Sequence, residues 1–310
     1  MAAFLSWFIT GERFEKSHEF EFATLEKLTQ FTADRPFQYR LLIPAIGNLT
    51  EKIILNMNEM FELKSFYFLT DFVSLLAVWY LFSVFIFLTV SPDKVYSCCL
   101  SLGIYLPIYL AFLAPGYNVL YPFDLSQIAF FTGGLILIFR ERFLALVILF
   151  IFSTLNRETS LFLIIIFILT NYKRDAERIF YFRLFLLSAI WLMEKIILYA
   201  MVKGSGDVFL WKVSENIHLF NNLKGIEYLG MYFYINIFLL PVIVFWRRIK
   251  NEFIRRTVFV MLPFYLTMFL VGIIFEYRIH AEMIPVSYAA FLSILIKKKK
   301  YNTASASFDA

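Results

Sequence analysis

The sequence predicts an all-α, polytopic transmembrane protein of about seven spans, with a re-entrant hairpin over residues 143–170. Three observations carry this. First, 60% of the 310 residues are hydrophobic and 20% aromatic, with a mean hydropathy of +0.70. Soluble domains run at about 45–50% apolar. Second, several runs exceed the roughly 18 apolar residues that cross a bilayer. Third, the basic residues gather in short clusters between those runs, where they report topology. The net charge of +5 therefore points to no nucleic-acid partner.

The first 65 residues read as an external N-terminal segment. The opening "MAAFLSWFIT" is apolar for only about nine residues, too short to span. A charged tail of this length does not cross a membrane readily, so the expectation is that a first span is clipped from the start. "DRPFQYRLLIPAIGNLTEKIILN" (34–56) carries Asn48, Glu51 and Lys52 among apolar residues. It reads as an interfacial amphipathic helix beginning after "RPFQYR".

Spans then follow at 66–90, 95–114 and 121–139, and again at 179–201, 229–246, 257–275 and 281–296, so that 66–296 forms the membrane domain. The last span is short, but Lys297–Lys300 can snorkel behind it. "YNTASASFDA" completes a tail, 297–310, that reads as disordered and cytoplasmic. The two cysteines, Cys98 and Cys99, are adjacent in an apolar run and suggest neither metal nor redox use.

Residues 143–170 do not fit a single span. One straight helix would be about 42 Å long, against a hydrocarbon core of about 30 Å. It would also bury Arg157 and Glu158 near mid-membrane, at about 2.5–3.5 kcal/mol for the arginine alone. Charge parity decides between the alternatives. "RER" (140–142) and "KRDAER" (173–178) flank the segment, and "WRRIKNEFIRR" (246–256) and "KKKK" (297–300) come later. A single crossing sends the last two clusters outside; entry and return keeps all of them inside. The segment is therefore read as two half-helices with "NRET" at the tip, facing a water-filled cavity. The C-terminus is then cytoplasmic.

This topology collects unusual residues on the non-cytoplasmic side. "APGYNVLYPFD" (114–124) brings Tyr117, Asn118, Tyr121 and Asp124; "FEYRIHAE" (275–282) brings Glu276, Arg278, His280 and Glu282; the tip brings Asn156, Arg157 and Glu158. The loop 202–228 adds "GSGD" and His218. Carboxylates can take a proton from a hydroxyl, and arginines fork onto phosphate oxygens. The mixture suits a sugar and a phosphate, with Arg278 best placed for the phosphate and Arg40 second. Each residue also has a plain structural reading: Asp124 as a helix-start acid, Glu276–Arg278 as an ion pair, Tyr39–Arg40 as a headgroup anchor, Asp34–Arg35 as a surface pair. The histidines, His18, His218 and His280, indicate no metal site, and no cofactor is indicated.

Four stretches, "RPFQYRLLIPAI", "YPFDLSQIAFF", "LNRETSLFL" and "FEYRIHAEMIP", together resemble a group of bacterial integral membrane proteins with a glycosyltransferase C-like pattern. The resemblance covers most of residues 34–290. It implies transfer of a sugar from a polyprenyl-phosphate-linked donor at the non-cytoplasmic face of the bacterial inner membrane, in envelope polysaccharide or glycoconjugate synthesis. Asp34, Glu158 and Asp124 are the candidate catalytic residues. Substrate contacts would fall to Arg35, Tyr39, Arg40, Tyr121, Asn156, Arg157, Glu276, Arg278 and His280. The catalytic acid of that architecture sits in the first outer loop, where Glu12, Glu15, Glu19, Glu21 and Asp34 are the candidates and no paired acids occur. The expected partners are the lipid-linked donor and membrane lipids; no protein partner is named by the sequence. A polysaccharide polymerase or ligase, or a flippase or transporter, are the alternatives. Transporters tend to carry paired broken helices, and the sequence suggests only one.

Overall fold

A computed structural model describes residues 1–55, 62–113, 118–172, 174, 176–202 and 211–296. The tail 297–310, Tyr117 and the "GSGD" stretch lie outside the described residues. Every regular element among the described residues is helical, and the only β-type contact is a parallel bridge between His18 and Val119.

Among the described residues, four helices are long and apolar enough to cross a membrane. They are α4 (Leu63–Thr89); the unit Lys94–Leu113, formed by α5 (Lys94–Ser101) and α6 (Tyr105–Leu113); α10 (Glu177–Met201); and the unit Glu252–Val271, formed by α14 (Glu252–Thr257) and α15 (Met261–Val271). A fifth is possible by length if the pair α12 (Ile226–Asn236) and α13 (Leu239–Phe245), bent by 81°, is counted as one. The remaining expected spans are shorter: α7 (Asp124–Phe139) has 16 residues and α16 (Ile284–Leu295) has 12. At 1.5 Å per residue these reach about 24 and 18 Å. The missing length is spent on the turn before Asp124 and on the 3-10 run Tyr277–Met283, which carry side chains into an ionic cluster instead of extending the helices.

Helix α4 is central. Leu75, Val78, Phe82, Phe85 and Ile86 form its buried stripe, while Leu69, Val73 and Tyr80 are exposed on the other side. A helix apolar all round fits a lipid-facing position. Helix α10 is more extreme: only Phe180, Leu187 and Leu198 are buried, and Phe182, Phe185, Met193 and Ile196 stand outward. Exposed apolar surface on this scale marks a membrane or partner contact.

The segment after α7 folds back on itself. Helix α8 (Phe143–Asn156) ends at Arg157, whose backbone is extended, and a 3-10 turn (Glu158–Ser160) leads into α9 (Leu161–Asn171). The Phe143 and Phe167 rings are 6.2 Å apart, and Glu141 pairs with Arg174 just outside the two ends. In a continuous helix those phenylalanines would be about 36 Å apart. Adjacent glycines of α7 let both arms approach. A Cβ on Gly133 would meet Leu149 of α8 at 2.9 Å, and one on Gly134 would meet Leu163 of α9 at 2.7 Å. Small residues at helix contacts serve this purpose in membranes.

The N-terminal region is built into the bundle. Helix α1 (Ala2–Lys16) packs on α4 and α6, with Ser6 bonded to Tyr105 at 2.8 Å. Beyond it come α2 (Leu25–Thr29), a cis Arg35–Pro36 peptide, a 3-10 turn (Phe37–Tyr39) and α3 (Leu42–Leu55). Helix α3 exposes Ile46, Leu49 and Ile53, as an interfacial helix does. Leu41 N–H donates to Leu155 C=O at 2.8 Å, tying this region to the hairpin tip. The short α11 (Val213–Asn222) lies against α15.

Candidate functional site

The charges of the bundle meet at one end, where α7 begins, the α8–α9 hairpin turns and the 3-10 run Tyr277–Met283 crosses. Asp124 is the hub. Its Oδ1 accepts from Arg157 Nη1 at 3.2 Å and its Oδ2 from Arg278 Nη1 at 2.9 Å, with Arg13 Nη2 at 3.8 Å. Asp124 stands in the first turn of α7, where the unpaired N–H groups favour an anion. Each arginine holds a second acid: Arg13 pairs with Asp71, Arg157 with Glu282 at 3.1 Å, and Arg278 with Glu276 at 2.7 Å. Arg13, Asp71, Asp124, Arg157, Arg278 and Glu282 are all buried. Charges are tolerated at such depth only when paired and hydrogen-bonded.

Polar and aromatic side chains complete the cluster. Thr159 donates to Glu282 at 2.7 Å, and the Arg278 guanidinium lies 4.3 Å from the centre of the Tyr121 ring. Arg13 also donates to the Tyr121 carbonyl at 2.7 Å. Asn156 fastens the hairpin tip to the start of α7: its Nδ2 donates to Phe123 C=O and Gln127 Oε1, both at 3.0 Å, and its Oδ1 accepts from Ser126 at 3.2 Å. Burial works against the charge of Arg278, but Asp124 and Glu276 outweigh it and hold the guanidinium protonated above its ordinary range. His280 stacks obliquely on Tyr265 at 5.4 Å, and neither ring nitrogen has a hydrogen-bond partner among the described residues. Burial pushes its pKa down to about 3, so the ring is neutral.

Arg40 and Glu158 form the rim. Arg40 Nη2 donates to Glu158 Oε1 at 2.8 Å and Nε to Oε2 at 3.4 Å. The guanidinium lies over Phe123 at 4.7 Å and over Phe37 at 5.5 Å. Burial opposes its charge and Glu158 more than offsets that, raising its pKa. The Glu158 side chain is 35% exposed, the most open of these acids.

The sequence reading is thus divided by the geometry. Tyr121, Asp124, Asn156, Arg157, Glu276 and Arg278 come together, and Arg40 joins Glu158. The tip does not open to water as expected: Asn156, Arg157, Thr159 and Ser160 are buried against protein, and only Glu158 reaches the surface. The reason is that the tip's polar atoms are consumed by Asp124, Glu282 and the start of α7. Arg278, expected to hold a phosphate, already spends its two terminal nitrogens on Asp124 and Glu276. Asp34, Arg35 and Tyr39 stand off the cluster. The Asp34 side chain is half-buried with no ion pair among the described residues, and Arg35 lies over the Tyr199 ring at 5.6 Å. No group of three or more His, Cys, Asp or Glu among the described residues is placed to hold a metal ion.

Two participants escaped the sequence reading. Arg13 lies on the buried stripe Ala2, Ser6, Ile9, Thr10 and Arg13 of α1, a helical period that was there to find. Lys195 of α10 is an ionisable residue deep in an apolar run, a signal in its own right. Asp71 of α4 carries the same signal.

Beside the cluster runs an apolar groove of about 560 Å³ between α3, α4, α7 and α8. Leu69, Val73, Ala77 and Leu81 form one wall, and Ala129, Phe130 and Leu149 the other. Its polar end has Thr70, next to Asp71, and Ser126, which bonds to Asn156. Comparison with known proteins finds no family model, no curated protein and no solved structure that matches this chain.

Proposed function

We propose that this protein is a membrane glycosyltransferase that moves a sugar from a polyprenyl-phosphate-linked donor at the non-cytoplasmic face of a bacterial inner membrane. One observation carries the reading: carboxylates, arginines and aromatic faces converge at a single end of an apolar bundle, beside a groove suited to a hydrocarbon chain. The full topology belongs to the proposal. It has about seven spans, with α8–α9 entering and returning, residues 140–142, 173–178, 247–256 and 297–310 cytoplasmic, and 115–122, 203–228 and 276–282 external. The four motifs that resemble glycosyltransferase C-like proteins support it further.

In this reading the acceptor hydroxyl attacks the anomeric carbon, the bond from that carbon to the phosphate oxygen breaks, and the lipid phosphate leaves. Asp34, which has no ion pair among the described residues, takes the hydroxyl proton. Asp124 serves by fixing Arg157 and Arg278. Proteoliposomes given a labelled lipid-linked sugar and an envelope extract as acceptor should release polyprenyl phosphate in step with labelled product. Absence of release from active-site-intact protein defeats the reading.

A transporter is the second reading, and one observation favours it. The α12–α13 pair is broken by 81° in the second half of the chain, a counterpart to the broken α8–α9 segment. Movement of labelled donor across the bilayer without release of lipid phosphate is its signature.

A further inference from the structure

Helix α10 turns one face toward the rim. Trp191 Nε1 donates to the Glu158 carbonyl at 3.2 Å, and Tyr199 lies beneath Arg35 at 5.6 Å. Lys195 sits midway, four residues from each, on the same face. Its charge interacts with those of Glu158, Arg40 and Glu194. Yet its ammonium is shut off from solvent and has no hydrogen-bond partner among the described residues. Neither nearby acid gives it a hydrogen bond. Both Glu158 oxygens face Arg40, and Glu194 is adjacent in sequence, a spacing at which helix side chains do not face each other. Nor has Lys195 snorkelled: it lies about 9 Å along the helix from Met201, and its nitrogen is still buried. A buried ammonium with three idle donors beside a guanidinium is arranged for an anion that the described residues do not supply.

We propose that Lys195, flanked by Arg40, is the seat for the phosphate of a membrane-embedded lipid phosphate. The source follows from position. Met193, Ile196 and Ile197 on the neighbouring faces of α10 are exposed and apolar, so the ligand arrives from the lipid side. The anionic group presented by membrane lipids there is a phosphate, and Lys binds phosphate as a compact point charge. The inference rests on the transferase reading only for the lipid being a prenyl phosphate. It also replaces Arg278 in the role of phosphate holder.

The test is direct binding to the full chain in lipid nanodiscs, with no sugar present. The probes are a long-chain prenyl phosphate, the corresponding neutral prenol, and inorganic phosphate. Wild type should bind the prenyl phosphate; Lys195→Gln should bind at least about tenfold more weakly, the loss expected for a charge-assisted bond; Lys195→Arg should keep most of the affinity. Without ligand, Lys195→Met should melt above wild type, because it removes a buried charge with no hydrogen bond among the described residues; a structural ion-pair role predicts the reverse. Equal affinity of wild type and Lys195→Gln, or of prenyl phosphate and prenol, overturns the proposal. Competition by inorganic phosphate at the concentration of the lipid overturns its assignment to a lipid. The two readings fail separately: lysine-dependent binding without sugar transfer sinks only the transferase, and normal transfer by Lys195→Gln sinks only the seat.

Discussion

Arg13 and Asp71, 58 residues apart, form an ion pair with both side chains cut off from solvent. The same guanidinium reaches Asp124 at 3.8 Å and the Tyr121 carbonyl at 2.7 Å, so α1, α4 and the start of α7 share one cation. Removing one member of a buried pair strands the other, at about 3–5 kcal/mol. Arg13→Met should therefore lower the unfolding midpoint in detergent sharply, and Arg13→Met with Asp71→Leu should recover much of the loss. A double variant no more stable than Arg13→Met would show that the pair does not carry the effect.

Arg157 and Glu158 are neighbours with different fates. Arg157 is buried between Asp124 and Glu282, whereas Glu158 is partly open and faces Arg40. Arg157→Ala should reduce the amount of folded protein in the membrane. Glu158→Gln should insert and fold normally and, on the proposed function, lose transfer, since the rim charge is gone and the buried network is intact. Quantitative blotting and size-exclusion profiles separate the two; matching losses of folded protein would assign Glu158 a packing role.

The topology can be probed on its two proposed faces. Ser214 on α11 and Arg174 beyond α9 are both exposed. In intact cells Ser214→Cys should react with an impermeant maleimide, and Arg174→Cys only after permeabilisation. The reverse pattern rejects the assignment of the ionic cluster to the outer face.

His280 sets a pH dependence of stability. Its pKa is about 3 in the fold, pushed down by burial from 6.5. Between these values the unfolded chain binds the extra proton, so stability falls as pH drops from 6.5 toward 3 and is unaffected by this group above 6.5. The slope is about 1.4 kcal/mol per pH unit. Thermal melts of His280→Phe should show a shallower acid limb than wild type. Parallel limbs would mean that His280 is not neutral in the fold.

The long helices were legible because their signal is local: twenty or so apolar residues in a row announce themselves. The hairpin was legible for a different reason, since the length of 143–170 and the basic clusters on either side conflicted with one crossing. The ionic cluster was legible only as a list of residues. Which acid meets which arginine depends on contacts spanning up to 154 residues, as from Asp124 to Arg278, and no window of sequence contains both. That is why Arg278 looked free for a phosphate and the part played by Arg13 did not show. The shortness of α7 and α16 was hidden likewise, because the apolar residues next to them, such as Tyr121 and Ile279, are spent on positioning the cluster.

The pairing scheme also has a direction in time. A ribosome makes Arg13 and Arg40 first, before the first long helix. Asp71 then emerges with Arg13 already waiting, and Asp124 finds the same arginine. Arg157 follows onto Asp124, Glu158 onto Arg40, Arg278 onto Asp124 and Glu282 onto Arg157. Each of these later charges is born with a partner upstream, so a helix leaving the translocon can be neutralised on arrival. Insertion can then proceed from the N-terminus onward without any of these later ions having to sit alone in lipid.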